Sequence, residues 1–475
     1  MNGIGVMSLV VLITSFLLTL LAGVSRSQPV DTFSGMIRLD GFTTYMSLLI
    51  DIGGAISVLL SWMYFGHQSS PQAETKSRFI PEYHALMLTI VLGAHLLVAS
   101  ANLLMIFISL ELISICSYVL TGFLFDKKST EGSLKYFLFG STASAVMLYG
   151  FSILYGFTGT LNIFDDDFSS HLLMHTTPLF FVGGLMALAG FFYKVAAAPM
   201  HPWAPDVYES APMPVVAFFS VVPKLAGLAI LARFVIILSL GGRSPYDWQM
   251  LLGVIAMLTL TVGNFSALIQ KNPKRLMAYS SIAQSGFLLV GITAFLPLGI
   301  QFMLFYATVY LVMNFLVFLY LQYFEMKGLT TIASYQNAGI RFLWPSIFLL
   351  FGLVSLTGLP PTAGFTAKFF IFSALWESYQ LTGKVVLLWL LIIGLLNTVV
   401  SLFYYLRIPY YSFIKSGDSA SKANNITPSP TVSISSDNLY KGGNLLGFIL
   451  VIALLLLFFL PGLLMGWINK INFVL

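Results

Sequence analysis

The sequence predicts an all-α polytopic membrane protein of about thirteen transmembrane helices, with two inverted five-helix repeats that each carry a proline-broken helix. Composition is the first ground for this. Of 475 residues, 58% are hydrophobic and 9% are charged, whereas a soluble domain carries roughly 25% charge. Such a chain cannot cover a water-facing surface. Apolar runs are the second ground: they recur at lengths of about 20 residues, enough to cross a ~30 Å hydrocarbon core as helices. Strand-type alternation is absent, which argues against a barrel. The third ground is a pair of interruptions, each with a lysine beside it.

The elements follow in order. The run from Ile4 to Val24 lacks a positive flank and is too long for a signal-peptide core, so it reads as a retained first helix. Further spans are expected near 42–65, 82–100, 102–125, 133–157, 177–198, 214–239 and 249–270. The last five fall near 276–296, 298–324, 345–379, 384–413 and 445–468. One span ends at Pro199-Met200-His201-Pro202 and runs on through Pro205, Pro212 and Pro214. Another contains Leu359-Pro360-Pro361-Thr362-Ala363-Gly364-Phe365 in its middle. Proline removes a backbone donor, so each break frees carbonyls that need partners. The expected divisions are N-terminal helices over 1–81, repeats over 82–239 and 249–413, a flexible cytoplasmic loop over 414–444, and a C-terminal helix within 445–475. An odd number of spans per repeat gives the two copies opposite topology.

Charge sets orientation. Fourteen lysines and arginines, among them Lys76, Arg78, Lys127, Lys135 and Lys422, fall on the N-terminal side of the spans, against six that include Arg26, Arg38, Arg233 and Arg243. The positive-inside rule places the N-terminus in the cytoplasm and the C-terminus outside. The formal charge of +5 has no dense basic cluster behind it, so nucleic acid is not an expected partner. Cys116 is the sole cysteine, which excludes a disulfide or a thiolate cluster within the chain. No GxGxxG motif, P-loop or paired metal ligands occur, so nucleotide, flavin and iron–sulfur binding by this chain are not expected.

Glu111, Lys194, Lys224 and Lys368 interrupt apolar runs far from their ends. A charge at mid-membrane costs a few kcal/mol or more, so such residues usually line a polar interior. Lysine also titrates readily when desolvated, and the series reads as a proton or ion path. Blander readings stand beside this one. Glu111 fits a helix-packing ion pair, Lys194 and Lys224 fit donors to carbonyls freed by proline, and Lys368 fits a snorkelling side chain. Three lysines plus an acid form a series that helix stabilisation does not explain. His95 and His201 are weaker relay candidates, Lys135 reads as a positive-inside flank, and Asp51 has no evident partner. Asp165-Asp166-Asp167 reads as a solvated external loop.

The run from Lys194 to Pro214, K-V-A-A-A-P-M-H-P-W-A-P-D-V-Y-E-S-A-P-M-P, resembles the signature of the antiporter-like subunits of respiratory complex I, the proton-pumping NADH:quinone oxidoreductase. Pro223-Lys224 follows at the family spacing. Leu110-Glu111-Leu112-Ile113-Ser114, Leu134-Lys135-Tyr136, Asn272-Pro273-Lys274-Arg275-Leu276 with Tyr279-Ser280-Ser281-Ile282, and Gly358-Leu359-Pro360-Pro361 with Lys368 also match, in order. Lys368 argues for the N-type subunits, since the M-type carries glutamate there. Met313-Asn314-Phe315 falls where L- and M-types carry lysine. The match begins about one helix late against the bacterial N-type pattern, which agrees with a cytoplasmic N-terminus.

The resemblance implies roles residue by residue. Glu111 would pair with Lys194, Lys224 would be the central relay, and Lys368 the terminal lysine. Lys135 and His201 would be accessory members of the path. No cofactor would be bound by the chain. NADH, FMN, iron–sulfur clusters and a quinone would be used through other subunits. Implied partners are an M-type antiporter-like subunit, small membrane subunits and the lipid bilayer, in a bacterial cytoplasmic membrane. The same fold and lysines would also serve a multisubunit cation/proton antiporter or a membrane-bound hydrogenase, and a structural scaffold of the membrane arm is a further alternative.

Overall fold

The structure, a computed structural model, describes residues 3–25, 28–66, 79–174, 177–239, 246–415 and 436–471. Arg26, Lys76, Arg78, Arg243, Lys422 and most of the expected 414–444 loop lie outside the described residues. That loop is shorter than expected, because a helix already runs over Ser436–Phe459. Ser436 and Asp437 are residue types that favour a helix start.

Twelve helices among the described residues are long and apolar enough to cross a membrane. The remaining expected span is the broken pair Leu343–Thr357 and Ala363–Thr382. One element was not expected: a hairpin pairs Val30–Thr32 antiparallel with Ile37–Leu39. Its turn holds Phe33, Ser34 and Gly35 at positive φ. Two three-residue strands are too short for an alternation signal to register in the sequence.

Helices Met213–Ser239, Pro273–Thr293 and Pro297–Met326 are almost wholly buried, whereas Gly3–Ser25 shows most of its surface. A helix that is apolar all round belongs at the centre. These three helices therefore form the middle of the molecule, and the buried polar side chains described below sit on them or against them.

Two runs of five elements share local detail. Asn102 caps Leu103–Thr121 by accepting from Leu104 N, and Asn272 caps Pro273–Thr293 by accepting from Lys274 N, both at 2.8 Å. Each is followed by a long helix, Lys127–Thr158 or Pro297–Met326, and then by a broken one. Pro178–Val195 ends on Ala196 at φ 56, and Leu343–Thr357 ends on Gly358 at φ 84. In both, the next residue donates back five positions, Ala197 N to Phe192 O and Leu359 N to Val354 O. This left-handed cap satisfies carbonyls that the break would strand. The short helix Trp203–Ser210 fills the far side of the first break.

Gly358 is required twice over. Its positive φ disfavours any side chain, and a Cβ there would lie 2.8 Å from Lys368 Cδ. Gly358→Ala is expected to lower stability by about 1–3 kcal/mol through backbone strain and displacement of Lys368. The check is the unfolding midpoint of the purified assembly; an unchanged midpoint would show that the loop relaxes freely.

Candidate functional site

The three lysines are all buried, at 2–4% exposure, and each has a different polar setting. Lys194 lies in the last turn of its half-helix and donates to Ser114 Oγ at 3.1 Å. Its stem packs on helix Met213–Ser239 at Gly227, where a Cβ would come within 3.2 Å of Lys194 Cγ. Lys224 follows Pro223 inside that helix. It donates to Ser281 Oγ at 2.5 Å and to Ser281 O at 2.9 Å. Lys368 donates to Leu356 O at 3.1 Å and Thr357 O at 2.7 Å, and sits 4.3 Å over the Phe287 ring.

Lys368 thus satisfies carbonyls at a helix break, the role that the blander reading gave to Lys194 and Lys224. Those two instead meet serine side chains on neighbouring helices, Lys224 also taking the Ser281 carbonyl. Around Ser281 Oγ stand the Tyr208 hydroxyl at 3.2 Å and the Tyr310 hydroxyl at 3.1 Å. Tyr310 in turn donates to Ser220 O, and Asn314 Nδ2 donates to Ser220 Oγ, both at 2.8 Å.

Glu111 does not pair with Lys194 as expected. Among the described residues it forms no ion pair, and its Oε1 is buried without a hydrogen-bond partner. Ser114, one turn further along the same helix, takes the Lys194 ammonium instead.

Among the described residues no hydrogen bond or ion pair joins Lys135 to Glu111 or Lys194. It is half exposed and reaches Glu131 at 2.9 Å and Asp206 at 3.2 Å. Asp206 also binds Arg275 at 2.8 Å, and Glu209 binds both Arg275 and Lys128 at 2.8 Å. These residues line a charged recess of about 180 Å³ outside the first break. Burial pushes the Glu209 carboxyl up, but hydrogen bonds from Lys128 and Arg275 more than offset this and hold it below its usual range. The His201 Nδ1 is buried without a partner, and among the described residues no hydrogen bond joins His201 to the three buried lysines.

Two further expectations change. Asp51, 1% exposed, has partners: His95 Nε2 at 2.8 Å on Oδ1 and the Ser15 hydroxyl at 3.1 Å on Oδ2. They come from helices that the sequence gave no reason to join. Asp51→Ala would leave His95 without its acceptor and is expected to cost about 1–3 kcal/mol. A thermal-unfolding comparison with Asp51→Asn, which keeps an acceptor, checks this; equal stability of the two variants would refute it. Arg233 is not a loop residue but a buried one. It binds Asp40 at 2.6 Å and Thr43 at 2.8 Å, with its guanidinium 5.0 Å over Phe42.

Sequence reasoning quoted Ser280 and Ser281 in a matching motif but gave no role to the polar residues of Pro273–Thr293. Helix Pro273–Thr293 carries Ser280, Ser281, Gln284 and Ser285, all at most 1% exposed. Ser280 Oγ bonds the Tyr405 hydroxyl. Gln284 Nε2 reaches Tyr405 at 3.2 Å and Leu356 O at 3.1 Å. Ser285 Oγ donates to Val195 O, at the end of the first half-helix, at 2.8 Å. The signal was there: polar residues three and four apart in an apolar helix share one face.

A polytopic helical membrane protein with a file of buried lysines at paired helix breaks is built as an ion- or proton-translocating membrane subunit. The family model described as NADH:quinone oxidoreductase/Mrp antiporter, TM matches residues 100–394, and the chain belongs to that family. It is 40% identical over 402 residues to the protein named NADH-quinone oxidoreductase subunit N 2 of Chloroherpeton thalassium, covering 83% of this chain and 76% of that one. A chain of respiratory complex I from Thermus thermophilus superposes with a TM-score of 0.77 at 27% identity, covering 99% of this chain and 95% of that one. A chain of the Mrp complex from Dietzia sp. DQ12-45-1b gives a TM-score of 0.80 over 98% of this chain and 91% of that one; at 17% identity that likeness is one of fold.

Proposed function

We infer that this chain is a proton-translocating subunit of the membrane arm of an NADH:quinone oxidoreductase, of the N type. One observation carries the reading. Lys224 sits in the centre of the molecule, 2% exposed, with its ammonium on the Ser281 hydroxyl, which the Tyr208 and Tyr310 hydroxyls also meet. A buried amine without a carboxylate in contact is a group whose charge is easily removed and restored.

Redox chemistry in other subunits changes the charge at one end of the arm. Glu111 and Lys194 receive that change first, and Lys194 shifts charge. Lys194 then acts on Lys224 through the helix that both touch. Protons pass along Lys224 and Lys368 by way of water and polar side chains. Lys135 is better read as part of the charged mouth around Asp206, where protons would enter or leave. Residues 82–239 and 249–413 act as the two repeats, with the N-terminus cytoplasmic and the C-terminus outside. The electron carriers and the quinone belong to partner subunits, among them an M-type antiporter-like neighbour and small membrane subunits.

The test is proton pumping measured together with quinone reduction in membranes carrying Lys224→Ala in the assembled complex. Loss of both with assembly intact supports the reading. Normal pumping would leave the chain as a scaffold.

A further inference from the structure

The long helix Lys127–Thr158 presents Lys135, Leu138, Thr142 and Val146 at spacings of three and four, so they share one face. That face forms the floor of an apolar groove of about 470 Å³, within the range of volumes that hold a small-molecule ligand. Tyr193, beside Lys194, and Trp203, beyond the break, form its wall. Trp203 Nε1 donates to Tyr193 O at 3.1 Å, so the wall ties the two sides of the first break together. From Lys135 to Val146 the groove runs about 16 Å along the helix axis, close to half of a ~30 Å hydrocarbon core. It therefore has the depth of one leaflet. Lys135 also lines the charged recess, so groove and recess meet at that residue.

We propose that groove and recess together form a phospholipid site, with one acyl chain lying in the groove and a phosphoethanolamine headgroup at the Lys135 end. A partner helix crossing the bilayer would need a contact face over the full depth, whereas this groove stops near the middle. Below Lys135 the lining is almost wholly apolar, and the Thr142 hydroxyl is turned back onto Leu138 O at 2.9 Å. An acyl chain requires such a lining. The recess sets Lys128, Lys135 and Arg275 against Glu131, Asp206 and Glu209, which leaves no net charge to draw an anionic headgroup. A zwitterionic one matches both signs. Glu131 and Lys135 pair at 2.9 Å but are 60% and 43% exposed, and an exposed pair of this kind holds itself weakly. Each can exchange the other for the headgroup, Lys135 taking the phosphate and Glu131 the primary ammonium. Choline has no N–H to donate and fills the amine position poorly. The groove lies against the half-helix that ends in Lys194, so an occupied groove braces that end. The site stands whether or not the lysines carry protons.

The experiment uses the assembled complex in phosphatidylcholine vesicles doped with a phosphatidylethanolamine that carries a photoreactive diazirine in one acyl chain. After illumination, labelled peptides of this chain are mapped by mass spectrometry, with unlabelled lipids as competitors. Label is expected on residues 138–146 and on Met200, which also lines the groove. Phosphatidylethanolamine should displace it about tenfold better than phosphatidylcholine or phosphatidylglycerol, the factor of one hydrogen bond to a charged group. Thr142→Trp fills the groove and should remove this label while leaving any elsewhere on the chain. Leu138→Trp repeats the test should the first variant fail to assemble. Glu131→Gln should keep the acyl-chain label and lose the headgroup preference; a preference that persists overturns the headgroup assignment. The proposal falls if label is spread evenly over the lipid-facing helices and survives both tryptophan variants, or if phosphatidylcholine competes as well as phosphatidylethanolamine. Label absent from the groove but present elsewhere on the chain also overturns it, since a partner subunit would then cover this face.

Discussion

Lys224→Ala is expected to stop pumping, with a fall of about 10²-fold or more, the lower end of what a positioned proton-transfer group contributes. The argument is local. The ammonium is held by Ser281 through both its side chain and its carbonyl, and the Tyr208 and Tyr310 hydroxyls crowd the same serine oxygen. Deleting the amine removes the titratable group in this cluster, since hydroxyls relay protons but do not store them. Lys224→Arg should fail nearly as badly, because a guanidinium keeps its proton under all working conditions. That second variant retains the charge, so its loss of pumping would not be ascribed to a missing cation. Pumping by Lys224→Arg at the parental rate would mean that fixed charge, not titration, is what the site supplies.

Lys368→Gln carries the second large effect, because it separates two roles that coincide in the structure. Lys368 donates to Leu356 O and Thr357 O, carbonyls at the end of a broken helix. A glutamine also donates to carbonyls, although its reach is shorter, and it does not titrate. Assembly and thermal stability should therefore fall only modestly, by about 1–3 kcal/mol if one buried carbonyl loses its donor. Pumping should fall by about 10²-fold. The decisive comparison is the ratio of protons moved to quinone reduced, measured at matched amounts of assembled complex. A variant that pumps normally would reduce Lys368 to a helix-break donor and nothing more.

Much of the architecture was legible from the chain. Run length and punctuation place most spans within a few residues, because a bilayer demands a fixed length of apolar helix; the last is an exception, its helix running Ser436–Phe459 rather than 445–468. The proline breaks and the three lysines were also visible, since both are rare and costly at depth. Contact partners were not. Glu111 and Lys194 were expected to meet, yet a serine three residues along claims the lysine, and nothing in either helix's sequence encodes that choice of rotamer. Asp51 looked isolated for the same reason: His95 and Ser15 lie on other helices, and joining them requires knowledge of packing. Arg233 was counted among the loop charges, when it lies buried inside Met213–Ser239 and pairs with Asp40, the N-cap of the distant helix Gly41–Phe65.

Helix Pro273–Thr293 touches both interruptions at once. Ser285 takes the carbonyl of Val195 at the first, Ser281 takes Lys224 between them, and Gln284 takes the carbonyl of Leu356 at the second. The two halves of the molecule therefore share one bearing. A small roll of this single rod would loosen both seams in the same stroke, so neither half is free to switch on its own. Mutations placed at opposite ends of the rod should behave as partners rather than as strangers, with a combined effect that differs from the sum of the two.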